Sequence, residues 1–337
     1  MPNINIDAIK NEIVRYGNRS AFDLQPAIMS KDILLNRYAK PLSKVKGVGW
    51  SFPSVFMGNV VQAFSDTWTE YGSVQFRNKV ARNYHQKVNF PIKPYEIYGS
   101  WEEYLYEEDK KPQDMPISKY IINMIAEHIT SDLVNTTITG QFDPAQIGSQ
   151  TPDYTKTMNG LNTLITSMAA NTTDPVFSIP VDAALLNDLP ARLDAYEEGL
   201  PENAKVSTVF MSLGEFQKYV KQRENMQNEP IDYTDGYRTK SRYGRDIVGV
   251  PGMTPGRFVS WIDGNLFRLY DRKDNPAQID DVQVLDYKVK VFIQWHLGYD
   301  WAVNEYVFVE TQNAAKKRGL NNPALNKLYY PNELSLL

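Results

Sequence analysis

Between Pro116 and Gly140 the sequence carries a ladder of branched residues. Ile117, Ile121, Ile125, Ile129 and Leu133 recur every four positions, with Ile122, Ala126 and Val134 beside them. Residues four apart share one face of an α-helix, so this spacing predicts a single amphipathic rod. Asp114 is placed to cap it, Pro116 falls in its first turn, and Gly140 fits the position just past its end. About 25 residues rising 1.5 Å each give a rod of roughly 37 Å, about twice the mean helix length of globular proteins. A stripe that long needs a partner along its length. A strand-rich partner for this rod makes the chain a mixture of helix and sheet.

The rest of the chain divides around that rod. Residues 1–45 show little sustained periodicity and read as an extended arm, with Ile9, Ile13 and Leu34-Leu35 on short helices. From Lys46 to Tyr71 short apolar pieces are broken by Gly47, Gly49, Pro53, Gly58 and Gly72, which suits a long exposed β-excursion. Val74, Phe76, Val80, Tyr84, Val88, Phe90 and Ile92 then all fall on even positions, a period of two that predicts strands with one buried face. After a Pro/Gly/Ser/Thr-rich connector at 141–154 the texture becomes α/β. Met158, Leu161, Ile165 and Met168 fit one helix face, and Val181–Glu198 reads as one or two helices interrupted at Pro190. Val206–Met211 reads as a buried strand, and Ser212 with Glu215 forms a capping box that opens a further helix. Ile247–Val250 is a short strand. Phe258–Ile262 and Leu266–Tyr270 flank Asp263-Gly264, a hairpin signal. Val289, Val291, Ile293 and Trp295 mark the last strong strand, and Val303–Val309 is expected to pair with it.

Composition excludes several kinds of chemistry. The 337 residues contain no cysteine, which removes disulfides, thiol catalysis and Cys-ligated metals. The N-terminus shows neither a basic nor an apolar signal region, and no apolar run approaches the roughly 20 residues that span a bilayer. A soluble protein made in a cytoplasm, without membrane contact, is expected. His85, His128 and His296 stand far apart in sequence, and Glu127-His128 is the nearest approach to a metal or acid–base pair. Gly47-Val48-Gly49 lacks the flanking strand and helix of a nucleotide site, and no nucleophile elbow appears. No catalytic, cofactor-binding or metal residue is assigned, and no cofactor is expected.

Charge is more informative. The net charge of −4 conceals eight Lys/Arg against four acids in residues 1–50. Arg77, Lys79, Arg82, Lys87 and Lys93 follow between Gly72 and Tyr95 with no acid among them. Next come Glu96, Glu102, Glu103, Glu107, Glu108, Asp109 and Asp114, relieved only by Lys110 and Lys111. Such blocks are either solvated faces or complementary patches between neighbouring copies, and the second reading makes these residues candidate inter-subunit contacts. Trp50, Phe52, Phe56, Trp68, Tyr71, Tyr98, Trp101, Tyr104 and Tyr106 sit in glycine-punctuated or charged stretches. Core packing accounts for some of them; large interfaces use aromatics in the same way.

The succession of parts resembles the major capsid proteins of tailed bacteriophages, the Hong Kong 97 fold. The stretches that carry the likeness are Gly99-Ser100-Trp101 before the long helix, Tyr120-Ile121-Ile122 within it, and Val209-Phe210-Met211-Ser212. Ile247–Met253, the strand at Asn265, and Val289–Trp295 with Leu297-Gly298-Tyr299 continue it. The flavour is similar to capsid proteins of phages infecting Bacteroidota. The resemblance implies the fold class α+β, with an N-terminal arm at 1–45, an E-loop β-hairpin at 46–75 and a peripheral domain at 76–150 with its spine helix at about 115–139. It further implies an inserted axial α/β domain at 151–284, a return to the peripheral domain at 285–312 and a tail at 313–337. Many family members carry a long cleavable scaffolding segment; none precedes the arm here, so a separate scaffold protein or the arm itself is expected to direct assembly. The implied function is self-assembly into the pentamers and hexamers of an icosahedral virion shell around double-stranded DNA, built in the host bacterial cytoplasm. Implied partners are other copies of the chain, portal, scaffold or decoration proteins, and packaged DNA on the inner face. An encapsulin-type compartment of the same fold and an α/β enzyme are the alternatives.

Overall fold

The computed structural model describes residues 9–11, 13, 33–43, 45, 48–72, 74–93, 96, 99–103, 117–227, 237–271, 278–285, 288–313 and 316–336. Its strands, in chain order, are β1 (Lys40–Leu42), β2 (Val48–Met57), β3 (Val74–Arg82), β4 (Tyr84–Ile92), β5 (Phe177–Pro180), β6 (Thr208–Ser212) and β7 (Arg238–Lys240). They continue with β8 (Asp246–Val250), β9 (Val259–Trp261), β10 (Leu266–Tyr270), β11 (Gln278–Leu285), β12 (Lys288–Trp301) and β13 (Val307–Thr311). Three sheets result: β1-β10-β12-β11 with β4 also on β12, the six-stranded β5-β13-β9-β6-β8-β7, and the two-stranded hairpin β2-β3.

The long helix spans Ile117–Thr139, about 35 Å at 1.5 Å per residue. Ile121, Ile125, Ile129 and Leu133 are buried in one cluster with Val289, Val291, Ile293 and Trp295 of β12, as the spacing requires. Ile117 opens the described helix; the expected cap Asp114 and first-turn Pro116 lie outside the described residues. The last turn buries hydroxyls, and each bonds back to its own helix: Thr136 to the Asp132 carbonyl at 2.7 Å and Thr137 to that of Val134 at 3.1 Å. Gly140 ends the helix because of space. A Cβ there would lie 2.5 Å from the Thr136 oxygen and 2.6 Å from that of Met158. The helix at Leu161–Ala170 buries Leu161, Ile165 and Met168 against the same core, with Met158 just ahead of it.

The six-stranded sheet is packed on both faces. One face (Phe210, Val248, Val259, Trp261, Val307) joins the long-helix core. The other (Phe177, Val209, Met211, Phe308) closes a second core with Leu193 and Tyr196 from the helix Leu189–Glu198 and Phe216 from the helix Leu213–Gln227. Pro190 stands in the first turn of its helix and does not interrupt it; Asp188 caps that helix.

Four expectations are corrected. Val307–Thr311 does not pair with β12; it runs parallel to β5 and antiparallel to β9, inside the six-stranded sheet. Asp263-Gly264 forms the turn, with Gly264 at φ +82° and Asn265 N–H donating to the Ile262 carbonyl at 3.0 Å, yet no hairpin follows. β9 leaves the turn into the six-stranded sheet and β10 into the sheet of β12. The turn satisfies local backbone chemistry, whereas strand partners are chosen by distant burial. The described part of the N-terminal stretch has the short helices expected at Ile9–Ile13 and Leu34-Leu35 but is not an extended arm: Ile9, Ile13, Ile33 and Leu35 are buried in the long-helix core, and β1 pairs in parallel with β10. Finally, the hairpin's returning strand continues to Arg82, so Arg77, Lys79 and Arg82 belong to the hairpin.

Candidate assembly surface

β3 inverts the ordinary use of alternation. Its apolar even positions face water: Val74 is 50% exposed, Phe76 81% and Val80 57%. Its odd positions Arg77, Lys79 and Ala81 turn toward the body of the protein. Cross-strand register extends the same division to β2. Val55 opposes Phe76 and Met57 opposes Val74, both more than half exposed, while Phe56 is buried against Tyr329 at a ring distance of 4.2 Å. Beyond the strands, Val61, Phe64 and Trp68 at the hairpin tip are each more than four-fifths exposed. One face of the hairpin and its tip thus expose several large apolar side chains, a concentration of the kind that marks a protein interface.

The inward face is ionic. Arg77 donates from Nη1 to the Asp174 carboxylate, to Glu305 at 3.0 Å and to the Thr173 carbonyl at 3.1 Å. Lys79 donates to the Asp300 carboxylate, to the Trp301 carbonyl at 2.7 Å and to Asn304 Oδ1 at 2.7 Å. Burial pushes the Glu305 carboxyl above its usual range, against the opposing pull of its hydrogen bonds and of Arg77. Burial does the same to Asp300, and Lys79 opposes it. The cavity lined by Arg77, Lys79, Asp174, Asn304, Glu305 and Tyr329 holds only about 20 Å³, room for about one water molecule.

The remaining candidates are scattered. Arg82 is exposed, with its guanidinium 5.6 Å over the Phe142 ring. Lys87 is exposed on β4. Lys93 bonds Glu96 at 2.7 Å, joining the basic stretch to the acidic one within a single chain. Glu102 and Glu103 are exposed beside the buried Trp101. Glu107, Glu108 and Asp109 lie outside the described residues. Arg77 and Lys79 have carboxylate partners in their own chain.

The histidines also depart from their sequence reading. His85 and His296 are cross-strand partners, stacked at 4.3 Å, and His296 Nδ1 lies 3.4 Å from Asp271. Among the described residues no group of three or more His, Asp or Glu is arranged to hold a metal ion. Nor, among them, is any helix long and apolar enough to cross a membrane. Sequence reasoning missed Asp174, Asp300 and Glu305. The available signal was an acid embedded in apolar surroundings, as in Tyr299-Asp300-Trp301 and Glu305-Tyr306-Val307.

No protein-family model matches the chain, and no curated protein is similar to it in sequence. Solved structures are similar in fold. A chain of Gordonia phage Cozz is 12% identical with a TM-score of 0.53, over 84% of this chain and 87% of that one. The cyanophage A-1(L) capsid asymmetric unit gives 12% and 0.53, over 83% and 92%. The capsid of the empty GTA particle gives 11% and 0.51, over 83% and 89%.

Proposed function

We propose that this chain, which has the Hong Kong 97-type fold of phage capsid proteins, is a major capsid protein. In this reading it assembles into the pentamers and hexamers of an icosahedral shell around packaged double-stranded DNA. The observation that carries the reading is the outward apolar face of the hairpin. Phe76, Val55 and Met57 are exposed in the single chain, although a Phe or Met gains about 1.5–3 kcal/mol on full burial. A second copy covering that face recovers the term at every position at once, and obligate assemblies bury about 2,000–5,000 Å² in this way. The hairpin would lie over a neighbouring copy, with the basic N-terminal stretch toward the DNA, where phosphate binding is non-specific. Portal, scaffold or decoration proteins complete the particle.

The test is expression of the chain with negative-stain microscopy of the product. Closed shells are expected from the parent, and a folded subunit without shells from Phe76→Ser combined with Trp68→Ser. Unaltered shells from the double variant would refute the role of the hairpin face. Nuclease-protected DNA inside particles from infected cells supports a capsid; a protein cargo in its place supports an encapsulin-type compartment.

A further inference from the structure

A cleft of about 180 Å³ opens beside the root of the hairpin. Ile262, Tyr306, Tyr329 and Tyr330 wall it, and the exposed Asn203 and Asn332 stand at its edge. Glu333 also lines it with its carboxylate already engaged, accepting from the Glu202 N–H at 2.7 Å and from Arg318 at 3.2 Å. Small-molecule sites begin at about 300 Å³, so this one is sized for a single side chain with a ring. Tyr329 is shared, because Phe56 of the hairpin packs on it. The hairpin's own tip goes elsewhere. Gln62 donates to the Thr69 carbonyl at 3.0 Å, which keeps the two arms together beyond β2 and β3, and residues 59–72 are all exposed. Phe64 lies eight residues past Phe56, so the tip stands roughly 26 Å beyond the root at about 3.3 Å per residue.

We propose that the cleft receives Trp68 of a second copy, so that the tip of one hairpin docks at the root of the next. This rests on reading the hairpin as the assembly arm. Trp68 is 83% exposed at the tip, and the residues that dominate interfaces are most often such aromatics set into a desolvated pocket. An indole suits this cleft better than the ring of Phe64. Aromatic walls take its faces, and the amide oxygen of Asn203 or Asn332 can accept its N–H. Charge points the same way. Asp66 and Glu70 are the only charged residues between Val48 and Val74. On the receiving side, residues 311–332 carry Lys316, Lys317, Arg318 and Lys327 with no acid among them, and Lys327 is exposed two residues before Tyr329. An acidic tip thus meets a basic surround, which favours tip against root over tip against tip. Donor and receiver lie at opposite ends of one hairpin, so the contact is heterologous. It runs head to tail from copy to copy and makes rings, where a self-complementary contact would stop at two.

The absence of cysteine allows disulfide trapping. Thr69 beside the tip tryptophan and Asn332 at the cleft are both exposed. A mixture of the Thr69→Cys chain with the Asn332→Cys chain should oxidise to a crosslinked dimer. It should do so much faster than Thr69→Cys mixed with Gln150→Cys, an exposed position on the body. One chain carrying both Thr69→Cys and Asn332→Cys should give a ladder beyond the dimer. Trp68→Ala in the Thr69→Cys chain should slow trapping roughly 30-fold, the effect of losing a dominant interface side chain, and Phe64→Ala should slow it far less. Equal rates with the Asn332→Cys and Gln150→Cys partners overturn the cleft as receiver. A ladder that stops at the dimer, or trapping indifferent to Trp68→Ala, overturns the proposal as well. If closed shells form without trapping, the cleft fails and the capsid reading stands. Trapping into chains or rings without shells leaves the cleft standing and counts against the capsid reading alone.

Discussion

Arg192 lies between two glutamates in the second core, 3.0 Å from Glu215 and 2.6 Å from Glu310, with its guanidinium 4.5 Å over the ring of Phe258. Gly256 N–H donates to Glu215 and Phe258 N–H to Glu310, so the acids also hold the loop entering β9. The sequence announces one part of this site. Ser212 and Glu215 read as a capping box, and Ser212 Oγ does donate to Glu215 Oε2 at 2.7 Å. Arg192 and Glu310 are remote in the chain, each on an element that reads as ordinary, and no local pattern joins them. Arg192→Met removes the only cation of the triad and leaves two carboxylates buried together. Removing one partner of a buried pair costs about 3–5 kcal/mol, which a denaturant midpoint measures. Burial already pushes the Glu310 carboxyl above its usual range and Arg192 opposes it, so in the variant the value rises further. The folded chain then binds protons more readily than the unfolded one. The lost stability should return as pH falls through the raised value, and should stop returning below the ordinary carboxylate range.

At the scale of elements, the long helix was legible and the hairpin's orientation was not, for one physical reason. A four-residue repeat of Ile fixes which residues share a face, and in a helix with a single apolar stripe that stripe must be the buried one. Alternation along β3 equally fixes that Val74, Phe76 and Val80 share a face. It does not say that this face is covered within the same chain, and here their exposure leaves the charged positions to pack inward. The strands at β9 and β10 fail to read for a related reason, since turn chemistry is local and strand partnership is not. The helix carries the firmest stability prediction. Ile125 is 4% exposed, in the buried cluster that also holds the apolar residues of β12. Ile125→Asp loses that packing and buries a carboxylate without a partner, a cost of more than about 4 kcal/mol. Soluble yield should collapse, while Glu127→Ala on the exposed face of the same helix should express as the parent does.

For the whole molecule, the question is what the charged surface does once the apolar face is covered. Arg77 and Lys79 are engaged within the chain and Lys93 bonds Glu96, which among the described residues leaves Arg82 and Lys87 against Glu102 and Glu103 as exposed charges of opposite sign. Each exposed pair is worth only about 0–1 kcal/mol, so no single bridge decides assembly. A closed shell repeats the pair at every equivalent boundary, and a small term repeated in that way biases the particle against the free subunit. Arg82→Glu with Lys87→Glu should therefore leave the subunit as stable as the parent to within about 0.5 kcal/mol, as surface changes usually do. It should assemble poorly in low salt, and the defect should shrink above physiological ionic strength, where charges more than about 8 Å apart are screened. Adding Glu102→Lys and Glu103→Lys to the same chain should restore shells, because the reversed stretches again oppose each other across the boundary. Light scattering during assembly reads all three chains. If the first variant assembles like the parent in low salt, these charges face water, and the hairpin's apolar surface carries the association alone.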